Sequence, residues 1–363
     1  MTSDDLATLS VGASFLGAGG GGDPYIGTLM ARQALDDKGS VTVVDLPEVP
    51  DDAMCAMSAV MGAPTVLVEK LPGGNEQIAA LAALERHLGR EITHVMCAEI
   101  GGLNSTLPIV TAAQLGKPLI DCDAMGRAFP EIQMSTPTLY GIGASPIALA
   151  DDKGNRVLIE AVDNHWTERL ARSATIDMGA AAFIALFAQT GEEVKRSMIG
   201  GSLTRAQSIG SAILEARRVK ADPIEAARRA SSGYRLFQGK IVDVERRTQA
   251  GFARGAVLIE GTETDAGTSL EIGFQNENLK AELAGGQTIA TVPDLIVILE
   301  TETGTPVTTE ELRYGFRVTV LGVPCDRRWR SPAGLELVGP GYFDLDVDYV
   351  PIEDLHRGDT AHG

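Results

Sequence analysis

The chain has 363 residues, of which 44% are hydrophobic and 22% are charged, as is typical of a folded protein with about two domains. Its 49 acidic residues outnumber the 31 Lys and Arg, and the net charge of −18 argues against nucleic acid or anionic lipid as the main partner. No apolar run approaches the roughly 18 residues of a membrane-spanning helix. The N-terminus lacks the features of a signal peptide and the four cysteines lack CxxC spacing, so we expect a cytoplasmic protein without a disulfide framework.

The first half of the sequence alternates between predicted strands and helices. Short apolar runs predict strands at residues 41–44, 64–68, 94–98 and 118–121. Helical periodicity follows Asn75, and a second helix is predicted over residues 108–115, each with a glycine after it. Such alternation is typical of βαβ units around a mostly parallel sheet. Residues 146–150 and 156–160 flank a turn at Gly154 and predict a hairpin.

A helical block is predicted next, from about residue 166 to residue 231. Within it, Thr204 with Gln207 fits a capping box. Asp222 followed by Pro223 fits a further helix start, because proline is favoured at the first helical position. We therefore expect at least two helices in this block.

After residue 233 the sequence becomes rich in short β-type runs separated by turn residues. These runs lie at residues 240–245, 256–259, 270–274, 295–300, 317–323 and 335–338. We predict an α/β class overall: a mostly parallel α/β domain over residues 1–233, then a β-rich domain, sandwich or barrel-like, over residues 234–352. A frayed polar tail is expected over residues 353–363.

A glycine-rich loop is the most unusual local feature. It contains Gly19, Gly20, Gly21 and Gly22, followed by Asp23 and a proline. Backbone N–H groups of such a loop can approach a ligand closely. Asp23 is a natural helix N-cap whose carboxylate would occupy the donors that a phosphate needs, so we predict a neutral or cationic ligand, or a pocket floor. A structural turn packed against another strand is the alternative.

Two polar clusters follow predicted strands. Glu99 and Asn104 come after the strand at 94–98, where the open edge of an α/β sheet usually binds ligands. They suit recognition of the N–H and C=O groups of a small polar ligand, or else they cap the next helix. Asp121 and Asp123 point to one side of the following strand. This pair suits acid and base roles or a divalent metal such as zinc.

Other candidate site residues surround these clusters. Arg127 is placed to hold an aspartate ionised or to clamp a substrate carboxylate, and Glu131 follows it. The alternative is a solvated turn with an Asp–Arg ion pair. Asn276 belongs to a dense polar cluster that either closes over a pocket or forms a hairpin turn. Cys325 precedes two arginines, and because neighbouring cations lower a thiol pKa it is the best candidate thiolate, with a buried inert thiol as the alternative.

Several segments together resemble one bacterial family. They are residues 16–25, 99–104, 121–131, 276–278, 293–296 and 312–315. The family was formerly known only as a domain of unknown function. It is now associated with S-methyl thiohydantoin desulfurase, and some members neighbour or fuse to hydantoinase/oxoprolinase proteins. The resemblance extends from about residue 8 to residue 352.

The resemblance implies an α/β N-terminal domain, a β-rich C-terminal domain and a small hydantoin-like ring as substrate. A hydrolase of this type replaces the S-methyl group with oxygen and releases a hydantoin and methanethiol. The resemblance implies that the site includes the residues at matching motif positions, but it assigns no individual role to any of them. These residues are Gly19–Asp23, Glu99, Asn104, Asp121, Asp123, Arg127 and Glu131.

Three mechanisms stay open at this point. In the first, Asp121 or Asp123 takes a proton from water while the other, or Glu99, donates one to the ring nitrogen. In the second, a divalent metal in the acidic cluster activates the water. In the third, Cys325 attacks and forms a covalent adduct. The rival functions are a hydantoinase/oxoprolinase-like cyclic amide hydrolase and a non-catalytic subunit beside a hydantoinase-like partner, and a homo-oligomer is a reasonable expectation.

Overall fold

Two sheets organise the chain in a computed structural model that describes residues 1–22, 24–62, 73–249 and 252–356. Asp23 and the strand predicted at residues 64–68 lie outside the described residues. Within those residues, helices surround the first sheet and no helix is long and apolar enough to span a bilayer.

The first sheet is mixed, with a parallel block at one side. Its strands run in the order β1-β4-β3-β2-β7-β5-β6, and β8 pairs with β4. Strands β1 to β4 pair in parallel and the remaining pairs are antiparallel. The bounds are β1 Val43–Asp45, β2 Met54–Gly62, β3 His94–Met96, β4 Leu119–Asp123, β5 Ile147–Ala150, β6 Arg156–Ile159, β7 Ala181–Thr190 and β8 Ile199–Gly200.

Nine helices of the first 231 residues are described. They are α1 Leu6–Leu16, α2 Tyr25–Lys38, α3 Glu76–Leu88, α4 Leu107–Leu115, α5 Thr136–Leu139, α6 Asn164–Asp177, α7 Gly191–Ser197, α8 Ser202–Val219 and α9 Pro223–Ser231. Helices α1 and α8 touch backbone to backbone, since a Cβ on Gly12 would lie 1.7 Å from the Ala206 carbonyl oxygen. The Asp222 side chain caps α9, as predicted, by accepting hydrogen bonds from the backbone of Ile224 and Glu225.

The second sheet is antiparallel and barrel-like. Its order is β13-β12-β11-β10-β9-β15-β14. The two ends of the sheet approach each other, because the Asn278 side chain on β12 donates to the Ile296 carbonyl on β14 at 2.8 Å. The bounds are β9 Tyr234–Gln249, β10 Phe252–Gly261, β11 Ser269–Gln275, β12 Glu277–Leu283, β13 Gln287–Thr291, β14 Leu295–Glu300 and β15 Arg317–Val323, with α10 Pro332–Val338 and α11 Ile352–Leu355 after them.

The predicted fold class, α/β followed by a β-rich region, is confirmed. The hairpin of β5 and β6 is also present. The helical block is wrong in part, because it contains β7 and the short β8. Strand β7 is almost wholly buried, so it has the continuous apolar character of a central strand and shows no alternation.

Two local predictions differ from the structure. Helix α8 begins at Ser202, and the Thr204 hydroxyl donates to Asp121, so the capping box is wrong. The strand predicted at residues 335–338 is helix α10. Its start is set by Ser331, whose side chain accepts from the Gly334 backbone, and by a proline at the first helical position.

Candidate active site

A cavity of about 130 Å³ lies between the two sheets. The segments that follow β3 and β4 form one part of its wall, and the turn between β11 and β12 forms another. Strands β2 and β7 contribute an apolar side that includes Met57, Ile184 and Leu186. The cavity therefore combines an apolar surface with polar groups brought from distant parts of the chain.

The glycine-rich loop forms part of the cavity wall and packs against a carboxyl group. A Cβ on Gly20 would lie 2.0 Å from Glu277 Oε1, so this carboxyl packs directly against the loop backbone. The Gly19 carbonyl accepts a hydrogen bond from the Thr309 backbone at 2.8 Å, and the Gly21 carbonyl accepts one from Leu103 at 2.9 Å. Both contacts fix the loop between the first-sheet region and the second sheet.

Glu99 lies beside Asn104 and close to the backbone of Phe129. Asn104 donates to Glu99 Oε1 at 2.7 Å, and the Asn104 amide is itself fixed by both backbone groups of Val60 on β2. The other oxygen, Oε2, is buried and has no hydrogen-bond partner among the described residues. Burial raises the pKa of Glu99 from 4.5 to about 7, although the Asn104 hydrogen bond opposes the shift.

Glu277, the first residue of β12, faces the same cavity. It is 2% exposed, and its Oε2 also lacks a partner among the described residues. Burial, and then the charge of Glu99, raise the pKa of Glu277 to about 8, while Arg127 acts in the opposite direction. Because the charge of Glu99 raises the pKa of Glu277, the two carboxyls titrate as a coupled pair, and such a pair suits acid and base chemistry near neutral pH.

A second polar region of the cavity surrounds Glu131 and Arg172. The Tyr342 hydroxyl and the Gln133 amide both donate to Glu131 Oε2. Arg172 on α6 donates through Nε to Glu168 and through Nη2 to the Pro130 carbonyl, the latter at 3.0 Å. These bonds anchor the segment that follows β4 to helix α6.

Comparison with known proteins supports one family across the whole chain. The family model described as "S-Me-THD-like, N-terminal domain" matches residues 4–161, and "S-Me-THD-like, C-terminal domain" matches residues 162–352. The chain belongs to the S-Me-THD-like family. A crystal structure of a protein from Chromobacterium violaceum is similar, with a TM-score of 0.80 and 24% identity over 97% of this chain and 99% of that one, which shows a shared fold. No curated protein matches the chain.

In this S-Me-THD-like protein, most of the predicted ligand-binding residues line the cavity. They are Gly19, Gly20, Gly21, Gly22, Glu99, Asn104, Glu131 and Asn276. The residues come from four separate segments of the chain, which the fold brings to one cavity. The predicted site residues that do not line the cavity are Asp121, Asp123, Arg127 and Cys325.

Asp121 and Asp123 join β4 to the start of α8. Asp121 accepts hydrogen bonds from the Leu203 backbone at 2.7 Å and from the Thr204 hydroxyl at 2.6 Å. Asp123 accepts the Ser202 hydroxyl on one oxygen and three backbone N–H groups on the other. Burial raises the pKa of Asp123 to about 6, although these hydrogen bonds act to lower it. Both carboxylates are engaged in tying elements together, and nothing in the cavity supports the catalytic or metal-binding roles predicted for them.

Arg127 and Cys325 also lie outside the cavity. Arg127 is fully buried and donates to backbone carbonyls that include those of Pro293 and Asp294, so it joins the two sheets instead of clamping a substrate. Burial and the charge of Asp294 raise the pKa of Cys325 to about 12, and Arg330 only partly offsets them. The surroundings of the sulfur therefore favour the alternative, a protonated thiol, over the predicted thiolate.

No group of three or more His, Cys, Asp or Glu in the described ranges could hold a metal ion. We therefore assign no residues to the divalent metal that the sequence left open. The polar cavity-lining residues that the sequence analysis did not single out include Glu277, Glu168, Arg172 and Thr309. Glu277 lies inside the polar cluster at residues 275–278, so a signal was present, whereas Glu168 and Arg172 look like an ordinary surface pair on a helix.

Proposed function

We propose that this S-Me-THD-like protein is a hydrolase that removes the S-methyl group of an S-methyl thiohydantoin and releases a hydantoin and methanethiol. The observation that carries the proposal is the Glu99–Glu277 pair: two buried carboxyls with raised pKa, each with an unpartnered oxygen, in one cavity. A ring that presents an imine nitrogen and a carbon open to water needs one proton donor and one proton acceptor.

The pair supplies both groups at neutral pH. Glu277, with the higher pKa, donates its proton to the ring nitrogen, which makes the sulfur-bearing carbon more electrophilic. Glu99 takes one proton from the attacking water as the new C–O bond forms. The C–S bond then breaks, the departing methanethiolate takes that proton from Glu99, and the hydroxyl proton of the intermediate returns to Glu277. The ring nitrogen keeps the proton it received, so the atoms and charges balance.

The groups around the pair position it for these transfers. Asn104 holds Glu99 through Oε1 and leaves Oε2 for the water. The backbone at Gly20 presses against Glu277 and leaves no room for a side chain there. The apolar side of the cavity, from β2 and β7, suits the methylthio group and limits the access of bulk water.

The decisive experiment incubates the purified chain with an S-methyl thiohydantoin and follows both released thiol and ring opening. Thiol release at a rate that scales with protein concentration supports the proposal. Ring opening without thiol would instead establish a cyclic amide hydrolase. Saturable binding without either product would overturn the catalytic proposal and favour a ligand-binding subunit that works beside a hydantoinase-like partner.

A further inference from the structure

The first sheet ends in an open strand edge at β6. This strand pairs with β5 on one side, and no strand of the described residues pairs with its other side. Exposed apolar side chains lie on the edge and in the segment that follows it: Leu158 is 37% exposed, Val162 88% and Trp166 45%. An unpaired strand edge with apolar neighbours is a template for pairing with another chain.

The hydrogen bonds of the β5–β6 hairpin show which backbone groups face the open side. The Asp151 N–H donates to the Asn155 carbonyl at 3.1 Å, so the backbone of Asn155 faces β5. The pairing register of the hairpin is continuous from there, and in an antiparallel ladder every second residue faces the same neighbouring strand. The backbone N–H and C=O groups of Arg156, Leu158 and Glu160 therefore face away from β5.

The charges along this edge are self-complementary. Arg156 and Glu160 lie two positions before and two positions after Leu158. If a second β6 aligns antiparallel with Leu158 opposite Leu158, each Arg156 lies opposite Glu160 of the other copy, on the same face of the sheet. A shift of the register in either direction places these charges opposite Leu158 or opposite a like charge. Charge complementarity thus selects one register.

Both charged side chains are accessible to a second copy. Arg156 is exposed. The Glu160 side chain is 72% exposed, and its Oε1 lies 3.6 Å from His87 Nε2 at the end of α3. Neither residue is buried in a network that a second copy would have to break.

We propose that the β6 edge is an interface for a second copy of this chain, in which two β6 strands pair antiparallel about a two-fold axis at Leu158. Such an interface uses the same surface on both copies and closes the open edge of each sheet. Val162 and Trp166 lie in the segment after β6 and extend the apolar part of this surface. None of residues 156–160 lines the cavity, so the inference does not depend on the proposed function.

Sedimentation equilibrium of the purified chain gives the first test. We expect the mass of a dimer at about 100 μM, a concentration at which a Kd of about 10 μM leaves most chains paired. Arg156→Glu places two acidic side chains opposite each other at two symmetric positions and should raise the Kd at least about 10-fold. Addition of Glu160→Arg to this variant restores opposite charges in reversed order and should return the Kd to within about 3-fold of the wild-type value.

Arg317→Glu is the matched control. It changes the net charge by the same amount at an exposed position of the second sheet and should leave the Kd unchanged. A wild-type protein that is monomeric at the concentration tested would overturn the inference. A dimer whose Kd is the same in Arg156→Glu would also overturn it, because a different surface would then join the two copies.

Cross-linking tests the register directly. Leu158→Cys places two thiols at the two-fold axis, where the Cα atoms of a hydrogen-bonded pair lie about 5.5 Å apart, within the range of a disulfide. We expect a covalent dimer after mild oxidation, and none for Val219→Cys, which is 53% exposed at the end of α8. Equal cross-linking of the two variants would contradict the register. If Arg156→Glu fails to fold, the wild-type mass and this cross-link still decide the matter.

Discussion

Two pairs of buried carboxyls in this molecule show how position in the fold decides the role of an acidic side chain. Asp121 and Asp123 are neighbours in sequence, and backbone and hydroxyl groups at the start of α8 satisfy them. Glu99 and Glu277 come from different sheets, and each retains an unpartnered oxygen. A carboxyl whose two oxygens both accept hydrogen bonds ties elements of the fold together, whereas one with an unpartnered oxygen in a cavity is available for proton transfer.

The largest effect expected from this comparison is on turnover in Glu277→Gln. Removal of the general acid should lower kcat by about 10²–10⁴-fold, because the amide cannot donate a proton to the ring nitrogen. The thermal midpoint at neutral pH should stay close to that of the wild-type protein, since the neutral amide resembles the protonated carboxyl that a pKa of about 8 gives Glu277. Released thiol and a thermal melt are the two measurements.

The matched control for that variant is Glu271→Gln, an exposed position on the adjacent strand β11. Its turnover should equal that of the wild-type protein. If Glu277→Gln kept full activity, the proposed pair would be abandoned as the proton-transfer machinery.

The opposite behaviour is expected for Asp123→Ala. This change leaves the backbone N–H groups of Ile100, Met125 and Gly126 without an acceptor, and should lower the free energy of unfolding by about 3 kcal/mol or more. Urea denaturation measures the loss. Asp346→Ala, at an exposed position, is the control and should change stability by less than about 0.5 kcal/mol. Wild-type stability in Asp123→Ala would contradict the structural role.

Gly20→Ala is expected to disturb the Glu99–Glu277 pair and to leave the Asp121–Asp123 pair in place. The new Cβ would lie 2.0 Å from Glu277 Oε1, so the carboxyl has to move away from the loop. We expect kcat to fall about 10-fold or more, as misplacement of a catalytic group commonly causes. Gly273→Ala meets nothing within 4 Å and should leave kcat unchanged. Equal kinetics of the two variants would show that the loop does not position Glu277.

The pH dependence of stability provides a smaller, independent test. The pKa values of about 7 for Glu99 and about 8 for Glu277 exceed the ordinary 4.5, so between these limits the folded state binds more protons than the unfolded state. The contribution of the pair is therefore fully present below about pH 4.5 and is lost as the pH rises through 7 and 8. Glu277→Gln should make the decrease in the free energy of unfolding with pH less steep, by up to about 1.4 kcal/mol per pH unit. Urea denaturation across this range measures the slope, and an unchanged slope would contradict the raised pKa.

The smallest effect is expected at Cys325. Because burial and Asp294 raise its pKa to about 12, the thiol stays protonated at neutral pH, and Cys325→Ser should keep kcat within about 2-fold. Turnover before and after treatment with a thiol-alkylating reagent gives a second measurement. Loss of activity that parallels alkylation of this residue would restore the covalent mechanism.

Much of the fold was predictable because its determinants are local. The turn at Gly154, the helix ends at Gly89 and Gly116, and the Asp222 cap each follow from the conformational preference of one residue. Strand β7 was not recognised, because a buried central strand and a buried helix share the same unbroken apolar run.

The sequence by itself determined the α/β and β-rich halves, the family motifs and most of the cavity-lining segments, including the glycine-rich loop and the residues at Glu99, Asn104 and Asn276. Only the tertiary structure decided which carboxyls are catalytic candidates. Whether both oxygens of a buried acidic side chain find hydrogen-bond donors depends on the groups that other elements bring to it. Asp121 and Asp123 contact α8, whereas Glu277 contacts the glycine-rich loop and is influenced by the charge of Glu99. Neither arrangement can be predicted from the residues adjacent in sequence.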